Sequence, residues 1–244
     1  AVGNDANDGR SAATPMASLQ ALLNAYDLKP GDLVLVDTGS YTLTTNLAIA
    51  AQDSGVTIRG AVNHATVLDR HNTNSGQYTI QLTGNTTDVT LQHLVLTGGQ
   101  YGLYLNDSGG AHRFTLQDSE VTGNSSGGVY VGVNVDDGKI VGNTIHDNSN
   151  NTGIYGNSTT RLQITTNLIY NQGTGIYIYS SGDESNDGAT VSANRVHDTN
   201  VGIQMYYDGV ATDNEVWASD RGFGLSQVNA LRNSAWGNNI GFDA

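Results

Sequence analysis

The chain has 244 residues, 23 of them acidic and only 10 Lys or Arg, for a formal net charge of −13. That balance argues against nucleic acid and anionic membranes as partners, because Lys and Arg carry phosphate affinity, and it leaves Ca²⁺ or neutral glycans. With no cysteine there is neither a disulfide nor a thiolate metal site, and no apolar run approaches the roughly 18 residues of a membrane span.

Residues 1–14 read as a polar loop of Gly, Asn, Asp and Ala. Asn4, Asp5, Asn7 and Asp8 in it suit turns better than a cation site. Thr14-Pro15 has the form of an N-cap followed by proline at the first helical position. Leu19, Leu22, Leu23 and Tyr26 follow at helical spacing, so an amphipathic helix is expected over residues 15–26. Lys29-Pro30-Gly31-Asp32 turns the chain, Leu33-Val34-Leu35-Val36 reads as a first buried strand, and Gly39-Ser40-Tyr41-Thr42-Leu43 begins the next.

From Val56-Thr57-Ile58 onward a repeat takes over. Its clearest part is a glycine-led alternating strand: Gly102-Leu103-Tyr104-Leu105, Gly128-Val129-Tyr130-Val131, Gly153-Ile154-Tyr155-Gly156, Gly175-Ile176-Tyr177-Ile178-Tyr179, Gly202-Ile203-Gln204-Met205-Tyr206, Gly222-Phe223-Gly224-Leu225 and Gly241-Phe242. The leading glycines stand 26, 25, 22, 27, 20 and 19 residues apart. An earlier strand in each coil is seen in Val89-Thr90-Leu91-Gln92 and Phe114-Thr115-Leu116-Gln117. A column led by asparagine (Asn143, Asn167, Asn194, Asn214, Asn233) has steps of 24, 27, 20 and 19. One short strand motif per roughly 20–27 residues is a solenoid signal. Such a coil cannot bury its apolar residues alone, but stacked coils can. Ile176 and Ile178 are then expected to point inward, with Ile154, Val129 and Leu103 below and Ile203 and Met205 above. The asparagines are expected to form a hydrogen-bonded ladder, and to supply the left-handed turn at a corner.

The unit Asn-x-[Ile/Val]-[His/Tyr]-[Asp/Asn]-x…Gly-Ile-x-[Ile/Met] resembles the repeat of right-handed parallel β-helix proteins of the pectate-lyase-like superfamily. Gly3-Asn4-Asp5-Ala6-Asn7-Asp8-Gly9, Thr14-Pro15, Leu19-Gln20 and Pro30-Gly31-Asp32 resemble the N-terminal cap of its extracellular bacterial members. The expected fold is therefore all-β, a single-stranded right-handed parallel β-helix. It forms one domain over 1–244, with loop and cap helix in 1–32 and stacked coils in 33–244. The resemblance implies a secreted or cell-surface protein. Ala1 reads as a processed start, and Phe242-Asp243-Ala244 lies inside a strand motif, so further coils or a partner are expected at that edge.

With the isoleucines inward, the phenols of Tyr104, Tyr130, Tyr155 and Tyr177 form one outward column, and Tyr179 and Tyr206 begin a second beside it. Sugar rings pack on aromatic faces and their hydroxyls bond phenols, so these six tyrosines are candidate polysaccharide contacts. A stack that serves only the sheet is the competing reading. Acidic residues follow these strands: Asp107, then Asp136 and Asp137, then Asp183, Glu184 and Asp187, then Asp208. Stacking is expected to bring them to one rim. There Asp136, Asp137, Asp183 and Asp187 become candidate Ca²⁺ ligands, and Asp183, Glu184, Asp187 and Asp208 candidate acid or base residues. His146-Asp147 and His197-Asp198 look like dyads, but neighbours on a strand point to opposite faces, so repeat spacing accounts for them better.

Resemblance to the superfamily's polysaccharide lyases implies a Lys or Arg base abstracting a proton beside a uronate carboxylate, often with Ca²⁺. Lys139 and Arg161, at the start of successive coils, are expected to neighbour each other, away from the tyrosines. The Asp-Pro-His-Glu box of alginate epimerases is absent, as are the Asp-Asp and Arg-His-Gly motifs of polygalacturonases. Three functions thus stand side by side: polysaccharide recognition, a lyase or glycoside hydrolase using clustered carboxylates, and a stalk or adhesin repeat without a small ligand.

Overall fold

A computed structural model describes residues 3–105, 111–149, 151–180 and 188–243. They wind into a parallel β-solenoid with a single short helix, Leu19–Ala25, near the N-terminus. The helix starts later than its sequence suggests. Its N-cap is Ser18, whose hydroxyl accepts from the Ala21 N–H at 3.2 Å, and not Thr14. The cause lies in the leading loop. Asp5 Oδ1 accepts the N–H groups of Ala17 and Ser18, both at 2.8 Å, and so holds residues 15–18 out of the helix. Thr14 instead donates its hydroxyl to Asp8 Oδ1 at 2.7 Å. Leu19 and Leu23 are buried, and the helix packs on the strand Leu47–Ile49.

Each coil has three faces. The first carries nine strands running from Leu33–Leu35 through Thr115–Gln117 and Lys139–Val141 to Asn229–Leu231. The second carries strands such as Glu120–Thr122 and Thr144–His146, and the third the glycine-led strands such as Gly127–Val131 and Thr152–Asn157. The long strands Leu168–Tyr179 and Arg195–Tyr206 span the second and third faces and join them into one sheet. All pairing is parallel, each strand bonding its counterpart one coil away. Leu33 and Leu35 of the first strand are 47% and 66% exposed. Only Val34 and Val36 go inside, because alternate residues of a strand face opposite sides.

The register puts like over like. Leu103, Val129, Ile154, Ile176 and Ile203 form one interior column, and Leu105, Val131, Ile178 and Met205 belong to the next, all essentially inaccessible to solvent. At the corner between the second and third faces the chain must pass very close to the next coil. A Cβ on Gly202 would sit 2.6 Å from the Gly222 carbonyl oxygen and 2.3 Å from Val216 Cγ1. That approach accounts for the leading glycine of the repeat.

The asparagine ladder is present. Asn143 donates its amide to Asn167 Oδ1 at 3.0 Å, Asn167 to Asn194 at 2.9 Å, Asn194 to Asn214 at 3.0 Å and Asn214 to Asn233 at 2.9 Å. The left-handed corner falls one residue earlier than expected, at Gly142, Thr166, Ala193, Asp213 and Arg232, all at φ of 53–67°. The asparagine tucks inside and bonds the backbone, for example Asn167 Nδ2 to the Ile140 carbonyl at 2.9 Å. A second polar ladder lies five residues further along. Asn124 donates to Asn148 at 2.8 Å, Thr199 and Ser219 share a 2.8 Å hydrogen bond, and Asn238 accepts from the Ser219 N–H at 2.9 Å. No helix among the described residues is long and apolar enough to cross a membrane.

Candidate functional site

The third face presents the tyrosines. Register aligns Tyr104, Tyr130, Tyr155 and Tyr177, and their rings stack in sequence at 5.0, 5.1 and 5.3 Å with interplanar angles of 19°, 12° and 2°. Tyr78, one coil earlier, extends the stack below Tyr104 at 3.8 Å and 7°, and Tyr101 leans against it at 38–56°. Sequence reading missed both, since Tyr78 has no leading glycine and Tyr101 precedes one. The stack has a chemical consequence. Rings packed face to face spend those faces on each other and turn mainly edges to solvent. Burial, and then the neighbouring phenols, push the hydroxyls of Tyr101, Tyr130 and Tyr177 above the usual tyrosine range, and that of Tyr78 further up still.

Beyond Tyr177 the column changes character. The next positions in register are Gln204, Gly224 and Asp243. Tyr179 pairs with Tyr206 in the expected second column, and Tyr207 joins them. These rings are not parallel: Tyr206 tilts 57° from Tyr177 and 52° from Tyr179, while Tyr207 meets Tyr179 edge-on at 87°. The Gln204 amide donates to the Tyr206 hydroxyl, and Arg221 reaches Asp243 at 3.3 Å.

Of the acidic candidates, Asp136, Asp137 and Asp208 fall within the described residues. Asp107, Asp183, Glu184 and Asp187 lie outside the described residues. Asp136 accepts from the Thr160 hydroxyl and faces His112 Nδ1 at 3.5 Å. Both Asp137 oxygens are taken by Arg161, at 2.6 and 2.9 Å, which holds that carboxyl below the usual range. Asp208 stands three rungs further on, by the register Lys139–Gln163–Thr190–Val210; at ~4.8 Å per rung that is about 14 Å. Asp208 lines a shallow recess of about 120 Å³ with Gly188, Thr190, Gln227 and Asn229. Among the described residues no three His, Cys, Asp or Glu converge as a metal site would require. Lys139 faces Gln163 across the coil step, because Arg161 sits two residues earlier, at the corner with Asp137.

The second face carries an aromatic column of its own. His146, Tyr170, His197, Trp217 and Trp236 stack at 4.6–5.2 Å. Here the two His-Asp pairs meet, although neighbours on a strand are expected to diverge. His146 Nδ1 lies 2.7 Å from Asp147 Oδ2, and His197 Nδ1 2.7 Å from Asp198 Oδ2. Asp147 and Asp198 both adopt φ of 52°, which breaks the alternation of a strand and lets each curl back onto its histidine, Asp147 just past Thr144–His146 and Asp198 within Arg195–Tyr206. His146 Nε2 also meets Glu120 at 3.0 Å, and Glu120 meets His64 Nδ1 at 3.1 Å, a grouping drawn from separate coils that no local motif announces.

The profile of the right-handed β-helix region matches residues 78–240. No curated protein matches the sequence. Among solved structures, an alginate lyase from Paenibacillus sp. str. FPU-7 aligns at TM-score 0.58 and 16% identity, covering 93% of this chain and 95% of that one. Pectate lyase Pel9A aligns at TM-score 0.61 and 18% identity over 99% and 76% of the two chains. A GH136 lacto-N-biosidase from Eubacterium ramulus aligns at TM-score 0.63 and 16% identity, over 96% and 54%. At these identities the likeness is one of fold.

Proposed function

The chain belongs to the right-handed β-helix family, and on that footing we propose that it engages polysaccharide along its tyrosine face as a secreted or cell-surface protein. The observation that carries this reading is the file of phenols on one side of the solenoid, one per coil from Tyr104 to Tyr177, continued by Tyr179 and Tyr206. A linear glycan has the matching shape, and a phenol hydroxyl both donates to and accepts from sugar hydroxyls. That structural neighbours include an alginate lyase, a pectate lyase and a lacto-N-biosidase supports carbohydrate as the class. Affinity electrophoresis through gels containing hydroxyethylcellulose, polygalacturonate or alginate tests it. Retardation in at least one gel is expected, weakened several-fold by Tyr177→Ala. Free migration in every gel would leave the stalk reading.

A lyase or hydrolase is the second reading, favoured by the recess at Asp208. Asp183, Glu184 and Asp187, which come just before Gly188 in the sequence, would serve as acid, base or Ca²⁺ ligands with Asp208. Formation of an unsaturated, ultraviolet-absorbing product from polygalacturonate, abolished by EDTA and by Asp208→Asn, is the outcome that selects the lyase. Release of reducing sugar without that absorbance selects the hydrolase.

A further inference from the structure

Polysaccharide binding leaves open where a sugar ring can stack, because the Tyr78–Tyr177 rings already cover one another. Tyr179, Tyr206 and Tyr207 differ on three counts. They are mutually tilted by 43–87°, with centroids 5.4–6.5 Å apart. Tyr179 and Tyr207 are 39% and 36% exposed, the only tyrosines among the described exposed large hydrophobics. And Tyr207 occupies a backbone position that disfavours it, at φ of 57°. The same corner one coil later holds Gln227 at φ of 58°, and Ser158 holds it two coils earlier at φ of 50°. A bulky ring at a left-handed corner is an outlier with a conformational cost, and outliers of this kind gather at ligand sites.

A second departure from the repeat lies beside it. Gly224 stands in the tyrosine file, yet the fold does not need glycine there. An added Cβ would meet Arg221 Cδ and Gln204 Cγ at 3.7 Å, ordinary contact, unlike the collision at Gly202. The missing side chain leaves a gap bordered by Gln204, which bonds the Tyr206 hydroxyl, and by Arg221, which is held by Asp243.

We infer that Tyr179, Tyr206 and Tyr207, with Gln204 and Arg221, form the stacking subsite of the polysaccharide face, and that it takes a neutral pyranose. The inference rests on the polysaccharide reading above. Charge decides the sugar class: the chain carries −13, and Arg221 is already partnered by a carboxylate, so a uronate would add an anion to an acidic surface without Arg221 free to offset it. The Tyr78–Tyr177 stack then acts as a rail of hydroxyl groups leading to this subsite.

The test is titration calorimetry of the whole chain with hydroxyethylcellulose and with polygalacturonate, each with and without Ca²⁺. The proteins are wild type, Tyr207→Asn, Tyr179→Ala and Tyr130→Ala, with thermal melting of each. Neutral-polymer affinity is expected to fall about tenfold in Tyr207→Asn and Tyr179→Ala and less than threefold in Tyr130→Ala. Tyr207→Asn should melt no lower than wild type, since Asn tolerates the left-handed corner. Equal losses at Tyr130 and Tyr207, or tighter binding of polygalacturonate than of the neutral polymer, would overturn the subsite while leaving polysaccharide binding intact. No binding of either polymer by wild type would remove both.

Discussion

At the scale of single residues, the interior polar ladders show why the coils keep their register. Asn167 donates to the Ile140 carbonyl and to Asn194, and its own oxygen accepts from the Asn143 backbone and side chain. Asn167→Ala would strand at least two buried partners at 1–3 kcal/mol each, so a loss of about 2–4 kcal/mol is expected by urea denaturation. The surface pairs are of another order. Arg113–Asp88, Arg161–Asp137 and Arg232–Asp213 are bidentate but exposed, so solvent screens them and they add little to stability. Tyrosine ionisation gives the pH dependence. The hydroxyls of Tyr101, Tyr130 and Tyr177 have folded values above their ordinary value of 10.0. Their contribution is whole below pH 10 and is lost as pH rises through the folded values. Stability should fall in strong alkali, and absorbance of tyrosinate near 295 nm should show a late fraction that becomes ordinary on unfolding.

At the scale of the strand and its turn, sequence revealed the parts that depend on a fixed spacing. Inward Ile176, outward Tyr177 and the Asn143–Asn233 ladder follow from period two within a strand and one coil between strands, and the register agrees. The pairing of Asp147 with His146 did not show, because it depends on a left-handed φ that a strand pattern cannot express. Nor did the grouping of Glu120 with His64, which spans coils at no regular offset. The ring tilts at Tyr206 and Tyr207 were equally hidden, since orientation leaves no trace in spacing. The second polar ladder was legible in principle: Asn148, Thr199, Ser219 and Asn238 each stand five residues after a coil's asparagine. The two kinds of glycine separate by experiment. Gly202→Ala forces a Cβ into backbone and should cost about 1–3 kcal/mol, whereas Gly224→Ala should melt within a degree or two of wild type.

At the scale of the molecule, each coil touches chiefly its neighbours, with rare longer reaches such as His64 to Glu120, so stability is close to a sum along one axis. Amide exchange should therefore be slowest for inward residues of the middle coils, such as Ile176, and fastest in the last coil, where Trp236, Ile240 and Phe242 are 46–56% exposed. Ile176→Ala, in a fully buried column, should cost about 2–5 kcal/mol. One feature reaches further. Asn143 and Asn167 are equivalent points 24 residues apart. Excising residues 144–167 would splice Asn143 onto Leu168, and the new junction has the same local grammar as the old. Such a shortened chain should still melt cooperatively with unchanged circular dichroism shape, and Tyr130 would then rest against Tyr177. The protein is in this sense a measuring rod graduated in single windings: its length is a whole number that can be edited.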